Sequence, residues 1–109
     1  MTMAREISVD ELSHRLERGD QPLLVDVRQP WEHQLARLPG SLLLPLGELP
    51  SRTAEVQPGP GQLVVCYCHH GVRSLRAAEV LSGAGIPAVS LAGGIEAWSQ
   101  QIDPSLPRY

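Results

Sequence analysis

The sequence predicts an α/β domain built on a central, mostly parallel five-stranded sheet with helices on both faces. Short apolar runs of the kind buried in a parallel sheet recur along the chain, stretches of helical periodicity separate them, and glycine or proline punctuates the joins. At 109 residues and 42% hydrophobic content the chain has the size of a single domain, with a core expected over about residues 5–100 and a C-terminal tail at 102–109.

The elements follow in order. Ile7 ends a short strand that feeds a helix, since Ser8 and Glu11 have capping-box spacing and Leu12 and Leu16 repeat at helical spacing. Gly19-Asp20-Gln21-Pro22 stops that helix, and Leu23-Leu24-Val25-Asp26-Val27 is a buried strand. Pro30 opens a short helix over 31–35, where its missing N–H is not needed. Leu38-Pro39-Gly40 turns the chain into the strand Ser41-Leu42-Leu43-Leu44, bounded by Pro45, and residues 47–56 are expected to hold a loose helix. After the connection Gln57-Pro58-Gly59-Pro60-Gly61 comes the clearest strand, Leu63-Val64-Val65-Cys66-Tyr67. Leu75, Ala78 and Leu81 share one face of a helix over 72–81, ended by Gly83 or Gly85. Ala88-Val89-Ser90-Leu91, then Gly93-Gly94, then a helix over 95–101 repeat the rhythm. The sequence leaves open whether the tail, with Pro104 and Pro107, packs across the fold or trails.

Composition excludes several function classes. The net charge is −3 and the nine basic residues, all Arg, form no run, so nucleic acid is not an expected partner. The apolar runs fall far short of the roughly 20 residues of a membrane span. Residues 1–6 lack the apolar core of a secretory signal, which favours a cytoplasmic setting. With no Phe, the core must be aliphatic, and a truncation such as Val65→Ala is expected to destabilise it.

Two cysteines two residues apart cannot form a disulfide framework, so catalysis or metal binding is the natural question. Cys68 falls in the turn between the surest strand and the surest helix. Unpaired N–H groups of such a turn and of the first helical turn form an anion cradle, which favours a nucleophilic thiolate. Gly71 suits the tight curvature that this cradle needs. Cys66 sits within the apolar strand and is expected to be inert. Cys66, Cys68, His69 and His70 place four potential ligands within five residues, yet one strand and a tight turn do not bring them to a tetrahedron, so no metal is expected.

The loop Cys68-His69-His70-Gly71-Val72-Arg73-Ser74 resembles the active-site loop of the rhodanese family, in which the cysteine accepts sulfane sulfur and holds it as a persulfide. Asp26-Val27-Arg28 with Glu32 resembles the family's Asp-Val-Arg and downstream Glu. Leu38-Pro39-Gly40-Ser41 with Pro45 resembles its Gly-His-Ile-Pro-Gly-Ala stretch, with a departure to Ala36-Arg37 where the family has Gly-His. Leu91-Ala92-Gly93-Gly94-Ile95-Glu96-Ala97-Trp98 matches its closing Gly-Gly and Trp motif. The resemblance spans roughly residues 5–100 and implies a thiosulfate sulfurtransferase with no cofactor. Cys68 is then the nucleophile, and His69, His70, Gly71, Val72, Arg73 and Ser74 bind the donor and the persulfide. Asp26 and Arg28 support the site from beneath. A small anionic donor gives up sulfur, and cyanide, a thiol or a partner protein accepts it. Arg73 either binds an oxyanion or turns away to pair with Asp26 or Glu32.

Two rivals remain. A sulfur-carrier or regulatory module would use the same loop for interaction. A phosphatase or arsenate reductase would use a cysteine cradle for a tetrahedral oxyanion, but related phosphatases place five residues between Cys and Arg, whereas four lie between Cys68 and Arg73.

Overall fold

In the computed structural model residues 5–109 are described, so the reading of residues 1–6 as lacking a secretory core falls mostly outside them. Five strands, β1 (Arg5–Ile7), β2 (Leu23–Asp26), β3 (Leu42–Leu43), β4 (Val64–Tyr67) and β5 (Val89–Leu91), form one sheet in the order β1-β5-β4-β2-β3. All four pairings are parallel. Helices α1 (Val9–Glu17), α2 (Pro30–Leu35) and α3 (Val72–Gly83) lie in the connections between strands, and α4 (Gly94–Gln101) follows β5. No described helix is long and apolar enough to cross a membrane.

Strand alternation sorts the core into two layers. Leu24, Val65, Tyr67, Val89 and Leu91 face one side, where they meet Leu12 of α1 and Ile95 and Trp98 of α4. Val25, Val27, Val64, Cys66 and Cys68 face the other, against Ala77, Ala78 and Leu81 of α3. The small alanines of α3 let that helix approach β4 closely, so the turn between the two is short and its course is fixed by packing on both sides.

Local signals act as the sequence suggests, with three differences. Ser8 Oγ accepts from Glu11 N at 3.0 Å, but the Glu11 carboxylate turns to Arg15, so half of the capping box forms. Pro30 is the first residue of α2. The strand expected at 41–44 contributes only Leu42 and Leu43 to the ladder, because it lies at the sheet edge and Pro45 has no N–H to donate. Leu44 N still donates to Asp26 O at 2.8 Å and Leu46 N to Val27 O at 3.0 Å. The loose helix expected at 47–56 is two 3₁₀ turns, Leu49–Ser51 and Thr53–Glu55. Pro50 supplies no N–H there, and buried Leu49 and Val56 pin the segment to the α3 side of the core.

Candidate active site

Cys68 follows β4 directly, at the carboxyl end of the sheet, and α3 opens four residues later. Because Cys68 continues the alternation of Val64 and Cys66, its side chain points toward α3, and the residue is 1% exposed. Gly71 N–H donates to the Cys68 sulfur at 3.1 Å. The thiol in turn lies 3.4 Å from Ser74 Oγ, to which it donates, and Ser74 Oγ lies 2.7 Å from Ser90 Oγ. Gly71 has φ +100°, a backbone that only glycine adopts without strain, and a Cβ there would press on Gly93 N at 3.1 Å. The sulfur therefore sits at the base of a cradle formed by one amide and one buried hydroxyl, at the amino end of a twelve-residue helix.

The other loop residues divide between lining and rim. His70 and Val72 are exposed, Val72 to 76%. Cys68 itself, by contrast, is buried. The His69 ring stacks on His70 with centroids 4.0 Å apart and, on its other face, on Tyr109 at 3.9 Å. Burial first, and then the neighbouring His70, push the His69 imidazole below its ordinary pKa. Among the described residues His69 Nε2 is buried without a hydrogen-bond partner, 3.9 Å from Glu96. The cationic histidine that would greet an anion at neutral pH is therefore disfavoured at this position.

Arg73 takes up one of the alternatives left open by its sequence context, forking onto Glu32, Nη1 to Oε1 at 2.8 Å and Nη2 to Oε2 at 3.0 Å. Burial opposes the charge on Glu32. The bonds from Arg73, Gln29 N and Tyr109 outweigh it and hold the carboxyl at about 2. Asp26 and Arg28 are completely buried and pair with each other. Arg28 Nη2 donates to Asp26 Oδ2 at 2.7 Å and Nε to Oδ1 at 2.9 Å, while its Nη1 donates to Tyr109 Oη at 2.7 Å. Asp26 Oδ2 also lies 2.8 Å from His33 Nδ1 and accepts from Tyr67 Oη at 3.2 Å. Among the described residues no hydrogen bond joins Asp26 or Arg28 directly to residues 68–74; the link runs through Tyr109, Glu32 and Arg73.

Cys66 behaves as a core residue, since burial, reinforced by nearby Cys68, pushes its thiol up to about 12. Three contributors have no sequence motif of their own: Ser90, Tyr109 and His33. A serine between Val89 and Leu91 in a buried strand is a usable signal, because a buried hydroxyl needs a partner. Tyr109 and His33 offered none.

The model of the rhodanese-like domain matches residues 8–101. The chain belongs to the rhodanese-like family. A sulfurtransferase of Allochromatium vinosum is 38% identical over 99 residues, spanning 90% of this chain and 91% of that protein. Two relatives are longer proteins. The chloroplastic rhodanese-like/PpiC domain-containing protein 12 of Arabidopsis thaliana is 34% identical over 113 residues, which cover 96% of this chain and 37% of that protein. The probable adenylyltransferase/sulfurtransferase MoeZ of Mycobacterium tuberculosis is 35% identical over 104 residues, which cover 94% of this chain and 26% of that protein. Among solved structures, a rhodanese-like domain protein from Staphylococcus aureus superposes with a TM-score of 0.80 at 30% identity, covering 96% of this chain and 98% of that one.

In this rhodanese-like domain the Gly93-Gly94 pair has a physical reason. Gly94 opens α4 with φ +62°, and a Cβ there would collide with the carbonyls of Cys68 and His69. Those same carbonyls accept from Ile95 N at 2.9 Å and Glu96 N at 3.1 Å. The amino end of α4 thus grips the outer side of the cysteine loop at a distance that only glycine permits.

Proposed function

We propose that this rhodanese-like domain is a sulfurtransferase that moves sulfane sulfur from a donor such as thiosulfate to a thiophilic acceptor through a persulfide on Cys68. The observation that carries the reading is the Cys68 sulfur itself, which faces Gly71 N–H and the Ser74 hydroxyl at the start of α3. The Cys68 thiolate attacks the outer sulfur of the donor, the donor's S–S bond breaks, and sulfite leaves with the bonding electron pair. The new terminal sulfur carries the negative charge, and the Gly71 amide and the helix amino end are placed to stabilise it. An acceptor nucleophile then attacks that sulfur: cyanide leaves as thiocyanate, a thiolate leaves as a persulfide, and the Cys68 thiolate is restored. Two transfers through one covalent intermediate predict ping-pong kinetics.

In this reading His69, His70, Gly71, Val72 and Ser74 shape and line the persulfide cradle, and Arg73 holds the loop to Glu32. Asp26 and Arg28 brace the underside. Commitment of Arg73 to Glu32 also speaks against a phosphatase or arsenate reductase, in which an arginine must face the oxyanion. The exposed apolar groups at the mouth, Trp31 at 60% and Val72 at 76%, suit a partner protein as acceptor as well as a small thiol. Two free cysteines are compatible with the reducing cytoplasmic setting expected from the sequence.

The test is sulfur transfer from thiosulfate to cyanide by the wild type, Cys68→Ser and Cys66→Ser, with intact mass after donor treatment. Turnover and a gain of roughly 32 daltons per added sulfur, both lost in Cys68→Ser alone, are expected. No turnover and no gain with thiosulfate or an organic persulfide would overturn the reading in favour of an interaction module.

A further inference from the structure

Tyr109 lies 41 residues beyond Cys68 in sequence and outside the motifs of the loop, yet it touches three sides of the mouth. Residues 102–109 do not trail. Ile102 N and Asp103 N both donate to Trp98 O, Leu106 O accepts from Ser99 Oγ at 2.8 Å, and Arg108 Nη2 pairs with Glu96 at 2.6 Å. Ile102, Leu106 and Tyr109 add to the core layer that holds Trp98. The segment thereby runs across α4 and delivers the Tyr109 ring to the loop.

There the ring lies flat on His69, with centroids 3.9 Å apart and planes 10° apart, and meets the exposed ring of Trp31 edge-on at 5.7 Å. The phenol donates to Glu32 Oε2 at 2.6 Å and accepts from Arg28 Nη1 at 2.7 Å. Glu32 is the carboxylate on which Arg73 of α3 is forked. One side chain therefore holds the residue next to Cys68 by its face, and by its hydroxyl completes the pair that holds the first turn of α3. The Cys68 and His69 carbonyls are already gripped by α4, so the Tyr109 ring restricts the remaining freedom of the His69 side chain.

We propose that Tyr109 is a positioning residue for residues 68–74, and that the segment 102–109 is a strap holding the Cys68 cradle in the shape that receives and keeps sulfur. The second clause rests on the sulfur-transfer reading; the first does not. A cradle whose amide must meet a developing anion loses rate when its geometry is allowed to spread.

The experiment compares wild type, Tyr109→Phe, which keeps the ring, and Tyr109→Ala, which removes ring and hydroxyl. The readouts are the ring-current shift of the His69 protons, hydrogen exchange of the Gly71 amide, the single-turnover rate of Cys68 persulfide formation from thiosulfate, and thermal stability. Tyr109→Ala is expected to remove the Tyr109 part of the His69 shift, leaving that of His70, to speed Gly71 exchange about tenfold and to slow persulfide formation at least about tenfold while the remaining amides stay protected. Tyr109→Phe is expected to keep the shift and lose less than half as much on the logarithmic rate scale. Gly71 exchange and persulfide rate both unchanged in a folded Tyr109→Ala overturn the proposal, and faster exchange with an unchanged rate overturns its second clause. If Tyr109→Ala fails to fold, a Tyr109→Phe variant with wild-type exchange and rate, but without its bonds to Glu32 and Arg28, overturns the hydroxyl's part in positioning. A wild type that takes up no sulfur from any donor removes the sulfur-transfer reading, and Gly71 exchange then decides alone whether Tyr109 shapes the loop.

Discussion

Arg73 sets both terminal nitrogens of its guanidinium on the two carboxylate oxygens of Glu32, at 2.8 and 3.0 Å, and so ties the first turn of α3 to α2 across the mouth of the cysteine cradle. The Glu32 side chain is only 4% exposed while that of Arg73 is 36% exposed, so the pair is asymmetric. Removing the arginine leaves a buried carboxylate without its main partner. Arg73→Gln is expected to cost about 2–4 kcal/mol, and Glu32→Gln less, since the exposed guanidinium can turn to water. Together they should cost less than the sum of the two, and a double-mutant cycle from urea unfolding checks this. Additive effects would mean that the fork does not couple the two helices.

The same carboxylate makes stability fall in acid. Glu32 sits at about 2 in the folded protein against an ordinary value of 4.5, so between those limits the unfolded chain binds the proton and the folded one does not. The stabilisation is complete above about pH 4.5 and is lost as pH falls toward 2. With about 1.4 kcal/mol per unit, the contribution is at most about 3–4 kcal/mol. Thermal unfolding followed from pH 6 to pH 2.5 should therefore show a shallower decline for Glu32→Gln than for the wild type. Parallel curves would show that the group does not control the acid limb.

The two cysteines should separate chemically although both are buried. Cys66 is fixed in mid-strand among Val25, Val64 and Ala78, and its thiol is pushed up to about 12. It remains a thiol at pH 8, whereas Cys68 faces an amide and a hydroxyl at the helix start. Iodoacetamide at pH 8 is expected to add one group to the folded wild type and none to folded Cys68→Ser over the same time, with both thiols reacting in denaturant. Equal labelling of Cys66 in the native state would contradict its placement as a core residue.

Much of this was legible from residue pattern. The order of strands and helices followed from apolar runs and their glycine and proline borders, because a parallel sheet buries whole runs and each crossover must stop somewhere. Cys68 stood out because strand, turn and helix signals met there. The 3₁₀ turns at 49–55 were less legible, since Pro50 falls inside the segment, where its missing N–H interrupts the helix that the length suggests. Arg73 could be placed on Glu32 only as one option of several, since spacing in sequence does not say which way a long side chain turns. Tyr109 was invisible for a stronger reason: its partners Arg28 and Glu32 are 81 and 77 residues away, and no local periodicity encodes a contact made by a tail folding back.

Gly94 should be the least replaceable glycine. Gly94→Ala would take on the strain of a positive φ, about 1–3 kcal/mol, and would also drive a methyl group into the Cys68 and His69 carbonyls. Gly85 provides the comparison, with φ +87° but no atom within 4 Å of a Cβ. Gly85→Ala should lower thermal stability and leave Cys68 alkylation unchanged. Gly94→Ala should lower stability further and alter the alkylation rate at least about fivefold, because the loop that holds the sulfur must move. Identical alkylation in the two variants would mean that the grip of α4 on the loop is not what sets the cradle.

Ser74 and Ser90 form a buried hydroxyl pair, 2.7 Å apart, behind the Cys68 sulfur. Alternation along β5 turns Ser90 toward α3, away from the layer that takes Val89 and Leu91. When Cys68 is a thiol, its proton goes to Ser74 Oγ. When the sulfur becomes an anion, the Ser74 hydroxyl turns to donate to it, and Ser90 then supplies the proton that Ser74 Oγ accepts. Ser90 acts through Ser74, so the two should not be additive. Ser74→Ala is expected to slow Cys68 alkylation about tenfold, since a hydrogen bond to a charged sulfur is worth about 1.5–3 kcal/mol. Ser90→Ala should slow it by a smaller factor, and the double variant should match Ser74→Ala alone. A further drop in the double variant would show that Ser90 reaches the sulfur by a route other than Ser74, and unchanged rates in all three would remove the hydroxyl pair from the chemistry and leave it a buried polar contact between β5 and α3.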